Sequence, residues 1–72
     1  MPKKKIVYTN HAIVRRLERD IDEETIEMII NKPDYVKTTF DGRKIAVKKV
    51  KDIIINVVYI EDEKLIRIIT VY

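Results

Sequence analysis

A change in hydrophobic spacing at Pro33 most constrains the fold of this 72-residue chain. Between residues 10 and 32, apolar residues recur every three or four positions, as they do along one side of an α-helix. Beyond Pro33 they alternate with polar residues or run together, which is typical of β-strands. The sequence therefore predicts helices followed by strands, the order expected of an α+β domain.

The helical half divides into two predicted helices. Thr9 or Asn10 can serve as the N-cap of the first helix, which we expect to extend to about Arg19. Asp22 is the expected N-cap of the second helix, which ends before Pro33. The spacing also predicts a stripe of apolar side chains that the first helix turns toward the core. These side chains are Ile13, Val14, Leu17 and Ile21.

The second half contains four apolar segments separated by turn residues. Asp41 and Gly42 form a strong signal for a two-residue hairpin loop, which would place Thr38 opposite Ile45. Residues 6–8 are either an additional first strand or a short lead-in. We therefore expect two N-terminal helices packed on one face of an antiparallel sheet of four strands, or of five. Residues 1–72 are expected to form a single domain.

The composition excludes several classes of function. The chain contains no cysteine and one histidine, which argues against disulfides and zinc, and its single glycine cannot build a phosphate-binding glycine loop. We therefore expect no metal and no cofactor. The absence of a long apolar run or a signal peptide predicts a cytoplasmic protein without a membrane segment. Abundant Ile, Lys and Glu with few thermolabile side chains are typical of proteins from thermophiles.

The charges are unevenly distributed, although the net charge is only +3. Basic residues concentrate at positions 3–5 and 43–51, whereas acidic residues concentrate at positions 20–27 and 61–63. A basic surface that lies apart from an acidic helix start would favour a polyanionic partner.

His11, Arg15 and Arg19 form the most distinctive cluster in the sequence. Their spacing of four places them on one side of a helix, where an imidazole and guanidinium groups can meet a phosphate. A neutral imidazole there could accept a proton from a ribose 2′-hydroxyl, while Arg15 stabilises the charge that develops on phosphorus. Alternatively, His11 caps the helix or hydrogen-bonds to a strand, and the arginines pair with nearby carboxylates, Arg19 in particular.

Three stretches of the chain, YTNHAIVRRLERDID, FDGRKIAVKK and IRIITVY, resemble a small prokaryotic family of unknown function. That family is marked by a His-Ala-x-x-Arg-x-x-x-Arg motif, a central Gly-Arg and an Ile-Thr-x-Tyr end. Such domains resemble RelE- and BrnT-type toxins, which are related in fold to barnase-like nucleases. The resemblance implies two helices against an antiparallel sheet, together with metal-independent RNA cleavage or descent from it. The matching positions are His11, Arg15, Arg19, Gly42, Arg43, Thr70 and Tyr72.

Two hypotheses of function follow. In the first, the chain binds RNA and is a metal-independent endoribonuclease of the RelE/BrnT-like toxin type, with His11 and Arg15 as catalytic residues and an antitoxin-like protein as partner. The residues expected to contact substrate are Arg19, Arg43, Lys48, Arg67, Thr70 and Tyr72. In the second, the chain is a non-catalytic module that binds a protein or forms a homodimer through the exposed side of the sheet.

Overall fold

The computed structural model describes residues 4–72, which form two α-helices and five β-strands and confirm the α+β class. The elements in chain order are β1 (Lys5–Tyr8), α1 (Asn10–Glu18), α2 (Glu23–Asn31), β2 (Tyr35–Thr38), β3 (Lys44–Val50), β4 (Ile53–Glu61) and β5 (Leu65–Val71). Within these residues, neither helix has the length and apolar character needed to cross a lipid bilayer.

The five strands form one mixed sheet in the order β1-β5-β4-β3-β2. Strands β2 to β5 are an antiparallel meander, as expected, but β1 runs parallel to β5, with Tyr8 opposite Ile68. The expectation of a fully antiparallel sheet is therefore wrong. No hairpin joins β1 to a neighbouring strand, because the chain leaves β1 through Thr9 directly into α1. The direction of β1 is consequently set by a long-range pairing with the last strand and not by a local turn.

The boundaries of both helices follow from local capping. Thr9 is the N-cap of α1, and its Oγ accepts a hydrogen bond of 3.1 Å from the backbone N–H of Ala12. Asp22 is the N-cap of α2, and its carboxylate accepts a hydrogen bond of 2.8 Å from the backbone N–H of Thr25. Between the helices, Asp20 adopts a left-handed conformation with φ of 56°. These observations confirm the predicted start of each helix.

The buried side of α1 is not the predicted apolar stripe. Val14 and Leu17 are 54% and 64% exposed, and Ile13 is exposed as well, so only Ile21 of that stripe is buried. Ala12 instead lies fully buried, and Arg16, one turn later, has a side chain only 17% exposed. The small Ala12 allows close packing in the core. The aliphatic stem of Arg16 can be buried because its guanidinium group finds a backbone carbonyl as partner.

The hairpin between β2 and β3 also differs from the prediction. Its loop covers residues 39–43, and Thr38 pairs with Lys44 instead of Ile45. Thr39 organises this longer loop, because its hydroxyl accepts a hydrogen bond from the backbone N–H of Arg43 and also bonds to the carboxylate of Asp41. Gly42 has a φ of +90°, which a residue with a side chain rarely adopts. The observed register differs from the predicted one by one residue. Each side chain of β2 therefore pairs with a β3 residue whose side chain lies on the opposite sheet face from that of the predicted partner.

One hydrophobic cluster joins the helices to alternate residues of the sheet. Its helical members are Ala12, Ile26 and Ile29, and β4 contributes every second residue from Ile55 to Tyr59. The remaining members are Ile21, Ala46, Ile66, Ile68 and Val71. A β-bulge in β5 interrupts the alternation, since Tyr59 pairs with Ile68 and Val58 with Thr70. We call the sheet face that alternates with this cluster the outer face. It includes Val47 on β3, Val58 on β4 and Arg67 on β5.

Candidate functional site

Helix α1 presents His11 and Arg15 as neighbours, as their spacing predicts. The Nε atom of Arg15 lies 3.5 Å from Nε2 of His11, which is the outer limit of a hydrogen bond, and both residues are exposed. The start of the helix is tied to β5, because the Thr9 hydroxyl donates a hydrogen bond of 3.0 Å to the carbonyl oxygen of Ile69. We call His11 and Arg15 the α1 pair. One phosphate group can contact both members, since their nitrogen atoms lie side by side.

Arg15 has a competing acidic neighbour on the same helix. One guanidinium nitrogen, Nη1, lies 3.4 Å from Oε1 of Glu18, and the two side chains are 47% and 57% exposed. An ion pair this open to solvent contributes under about 1 kcal/mol to stability. Glu18 therefore engages the Arg15 guanidinium only weakly.

Arg19 is separated from the α1 pair because α1 ends at Glu18. It lines a cleft of about 530 Å³ between the connection of the two helices and the adjoining ends of β3, β4 and β5. Tyr72 lines the same cleft, so the structure brings these two predicted residues together. Neither His11 nor Arg15 lines it.

The predicted basic residues of the hairpin and β3 have acidic partners. Arg43 Nε lies 3.7 Å from the carboxylate of Asp41 in the same loop. Lys48 lies on the side of β3 that faces the core, is only 23% exposed, and approaches Asp34 to 3.5 Å. The Asp34 carboxylate also accepts a hydrogen bond from the backbone N–H of Lys49, which lowers the pKa of Asp34. These cations form ion pairs within the hairpin loop and between β3 and the residue before β2. They lie on different elements from the α1 pair.

Arg67 and Thr70 lie on the outer face of β5, opposite Ile60 and Val58 respectively. The eight predicted site residues therefore occupy four places: the α1 pair, the cleft with Arg19 and Tyr72, the region of β3 with Arg43 and Lys48, and the outer face with Arg67 and Thr70. Their proposed roles stay predictions.

Tyr8 and Arg16 are half-buried and form a cation–π contact that the sequence did not reveal as a candidate. The guanidinium carbon of Arg16 lies 6.0 Å from the ring centroid of Tyr8. Within residues 4–72, the Tyr8 hydroxyl and the Arg16 Nε are buried and have no hydrogen-bond partner. Burial raises the pKa of Tyr8, and the negative charges of Glu23 and Glu27 add to this effect. The spacing of Ala12 and Arg16 by four residues was the available signal that both share one side of α1.

A second cleft, of about 490 Å³, lies at the opposite end of the sheet and includes Glu61 and Lys4. Glu61 accepts hydrogen bonds of 2.7 Å from Lys4 and 3.3 Å from Lys44, and these partners lower its pKa. The positive charges of Lys4 and Lys44 therefore compensate the negative charge of Glu61 at this cleft. Among the described residues, no three His, Asp or Glu side chains converge as a metal site requires.

The geometry defines a small α+β domain with an exposed histidine–arginine pair on its first helix. Residues 8–72 match the domain of unknown function DUF4258, and the chain belongs to that family. The family description assigns no activity. Comparisons with curated proteins and with solved structures gave no match.

Proposed function

We propose that this protein is a small RNA-binding domain that contacts RNA phosphate through His11 and Arg15. The observation that carries the proposal is the 3.5 Å separation between Arg15 Nε and His11 Nε2 on an exposed helix surface. Arginine supplies directional hydrogen-bond donors to phosphate oxygens, and a neighbouring imidazole supplies a titratable group. The sequence resemblance to RelE- and BrnT-type toxins adds support, because those proteins act on RNA.

In its stronger form, the proposal is a metal-independent endoribonuclease. His11 removes the proton from a ribose 2′-hydroxyl, and the 2′ oxygen forms a bond to the adjacent phosphorus. The bond from phosphorus to the 5′ oxygen breaks, and that oxygen takes the proton back from His11. The products are a 2′,3′-cyclic phosphate and a 5′-hydroxyl. Arg15 stabilises the additional negative charge on the phosphorane.

A RelE-like fold, with both helices on one sheet face, and an antitoxin-like partner belong to this proposal. The shared buried cluster of Ala12, Ile26 and Ile29 with alternate residues of the sheet supports the fold. Arg19 and Tyr72 in the first cleft are the next candidates for contact with RNA beyond the scissile phosphate. Arg67 and Thr70 are weaker candidates, because they lie on the outer face.

The test is an RNA binding and cleavage assay in the presence of a chelator. We expect wild-type protein to cleave single-stranded RNA, and His11→Ala to lower the rate by about 100-fold or more. We expect Arg15→Ala to weaken RNA binding. We also expect it to reduce the slope of log affinity against log salt concentration by about one, the amount expected for one lost phosphate contact. Lys32→Ala is the matched control, because it removes an exposed cation from the end of α2.

The outcomes separate the two forms of the proposal. If the protein binds RNA in a manner that depends on Arg15 but does not cleave it, the RNA-binding proposal stands and the ribonuclease proposal is wrong. Equal loss of binding in Arg15→Ala and Lys32→Ala would show a general charge effect and overturn the specific role of the α1 pair. Circular dichroism of each variant verifies that the fold is intact.

A non-catalytic interaction module is the second candidate. It is favoured by the exposed apolar side chains of α1, since Ile13, Val14 and Leu17 form a contiguous patch that the core does not use. Self-association through this patch predicts a concentration-dependent dimer in sedimentation experiments. Leu17→Lys would abolish that dimer, whereas Lys32→Ala would leave it unchanged.

A further inference from the structure

The outer face of the sheet has an aliphatic centre. Val47 and Val58 are only 3% and 7% exposed, although neither belongs to the core cluster. Ile54 and Ile60 flank them on β4 and are 62% and 41% exposed. Val47 and Val58 are therefore already covered by the side chains around them, and Ile54 and Ile60 form the aliphatic surface that is open to solvent. An exposed aliphatic surface on a sheet face is typical of one that a partner covers.

The charges around this centre have one sign. Alternation along the described strands places Lys37, Lys49 and Arg67 on the outer face and places no Asp or Glu there. Among residues 4–72, Lys37 and Arg67 have no carboxylate within 4.0 Å, and Lys49 reaches only Asp52 in the exposed β3–β4 turn, at 4.0 Å. Many of the acidic residues lie elsewhere, on the helices and their connection. The outer face is therefore both apolar and cationic.

The nearest acidic turn does not neutralise the face. Asp62, in the turn between β4 and β5, accepts hydrogen bonds of 2.8 Å from the backbone N–H groups of Lys64 and Leu65. These hydrogen bonds are the main cause that lowers the pKa of Asp62, and the positive charge of Arg67 adds to the effect without forming an ion pair within 4.0 Å. Arg67 remains available for a negative group that comes from outside the described chain.

These features distinguish between three classes of occupant. A second copy of the chain, face to face, would oppose cations with cations, which is unfavourable. Single-stranded RNA that binds on a sheet face usually stacks its bases on aromatic rings in the middle of that face. The tyrosines of this face, Tyr35 and Tyr72, lie on an edge strand and beyond the end of β5, and Lys37 already lies 5.7 Å from the Tyr35 ring centroid. An acidic protein segment with aliphatic side chains matches both the charge and the centre.

We propose that the outer face docks an acidic, aliphatic segment of another protein. Its apolar side chains would cover the exposed Ile54 and Ile60, and its carboxylates would pair with Lys37, Lys49 and Arg67. This surface includes neither His11 nor Arg15, so the inference does not depend on the proposed RNA contact. It assigns Arg67 to protein binding instead of substrate binding.

The test uses two synthetic peptides with the same spacing of leucines, one with glutamates and the other with lysines at its polar positions. Methyl NMR of the full chain reports the contact. We expect the acidic peptide to shift the methyl signals of Ile54 and Ile60, and the lysine peptide to leave them unchanged. The affinity should fall as salt is added.

Variants locate the contact and supply the control. Arg67→Glu and Lys37→Glu should each weaken acidic-peptide binding by about tenfold, because each places a negative charge against the peptide. Lys32→Glu has the same charge change away from the sheet and should have little effect. Circular dichroism distinguishes lost binding from lost folding.

Three results would overturn the inference. The first is no binding of the acidic peptide, or equal binding of the lysine peptide. The second is an oligouridylate that shifts the same methyl signals more strongly, which would make the face an RNA surface. The third is wild-type self-association that broadens these signals and disappears on dilution, which would make a second copy the occupant.

Discussion

Arg16 lies with its guanidinium carbon 6.0 Å from the ring centroid of Tyr8, on the side of α1 that faces the core. The same guanidinium donates a hydrogen bond of 3.1 Å to the backbone carbonyl of Ile21 and lies 3.8 Å from the carboxylate of Glu23. One side chain thus contacts β1, the connection between the helices and the start of α2. This arrangement explains why a cation stands one turn after the buried Ala12.

Arg16→Met should destabilise the fold by about 1–3 kcal/mol, because it keeps an aliphatic stem but leaves the Ile21 carbonyl without its donor. Arg19→Met is the control, since Arg19 is exposed and should change stability by less than about 0.5 kcal/mol. Urea unfolding monitored by circular dichroism measures both. Similar losses in the two variants would show that the buried contacts of Arg16 carry no special stability.

Tyr8→Phe should leave stability unchanged or raise it slightly. The Tyr8 hydroxyl is buried without a hydrogen-bond partner among the described residues, so its removal deletes an uncompensated desolvation cost. The ring itself, and its contact with Arg16, are retained. The midpoint of urea unfolding is the measurement. A loss of more than about 1 kcal/mol would reveal a hydrogen bond to the hydroxyl, because only such a bond makes its removal costly.

Several carboxylates that bind backbone or side-chain donors have pKa values below their ordinary range: Asp22, Asp34, Asp41, Glu61 and Asp62. For each, the folded state binds protons less readily than the unfolded chain. The stability that they contribute is complete above the unfolded pKa, near pH 4, and is lost as the pH falls through the folded pKa. The free energy of unfolding should therefore change little between pH 7 and 5 and decline below about pH 4.

Asp22 allows one contribution to this acid sensitivity to be isolated. A hydrogen bond from Thr25 is the main cause that lowers the pKa of Asp22. Asp22→Asn keeps an N-cap acceptor but cannot be protonated, so its stability should fall less between pH 7 and pH 3 than that of wild type. Asp22→Ala removes the cap and should be less stable than Asp22→Asn at each pH. Thermal melts at a series of pH values provide the comparison, and parallel pH profiles for wild type and Asp22→Asn would contradict the expectation.

Local signals predicted the parts of this fold that depend on near neighbours in sequence. Residue type before a helical pattern indicated Thr9 or Asn10 as the first N-cap and Asp22 as the second. The structure selects Thr9, and both cap oxygens accept a hydrogen bond from the backbone N–H three positions later. His11 and Arg15 lie together because a regular helix alone fixes their separation. Arg19 does not share their surface, because α1 ends before it and Asp20 turns the chain into a left-handed conformation.

The features that the sequence predicted wrongly depend on competition between local interactions or on contacts between residues far apart in the chain. Asp41 and Gly42 favour a two-residue loop, but the hydrogen bonds of Thr39 select a longer one and shift the register. Val14 and Leu17 have helical spacing, but that spacing does not reveal that the small Ala12 is the buried position of α1. The parallel pairing of β1 with β5 joins residues at opposite ends of the chain, and no pattern within either strand encodes their relative direction.

Glu18 offers a direct test of whether the α1 pair binds an anion. Its carboxylate lies 3.4 Å from the Arg15 guanidinium and competes with any phosphate for that group. Glu18→Gln should therefore strengthen RNA binding, by no more than about fivefold, since an exposed ion pair contributes under about 1 kcal/mol. Fluorescence anisotropy with labelled single-stranded RNA at low salt measures the change. Glu24→Gln removes the same charge from the first turn of α2, and a gain equal to that of Glu18→Gln would attribute the effect to net charge and remove the α1 pair as the specific site.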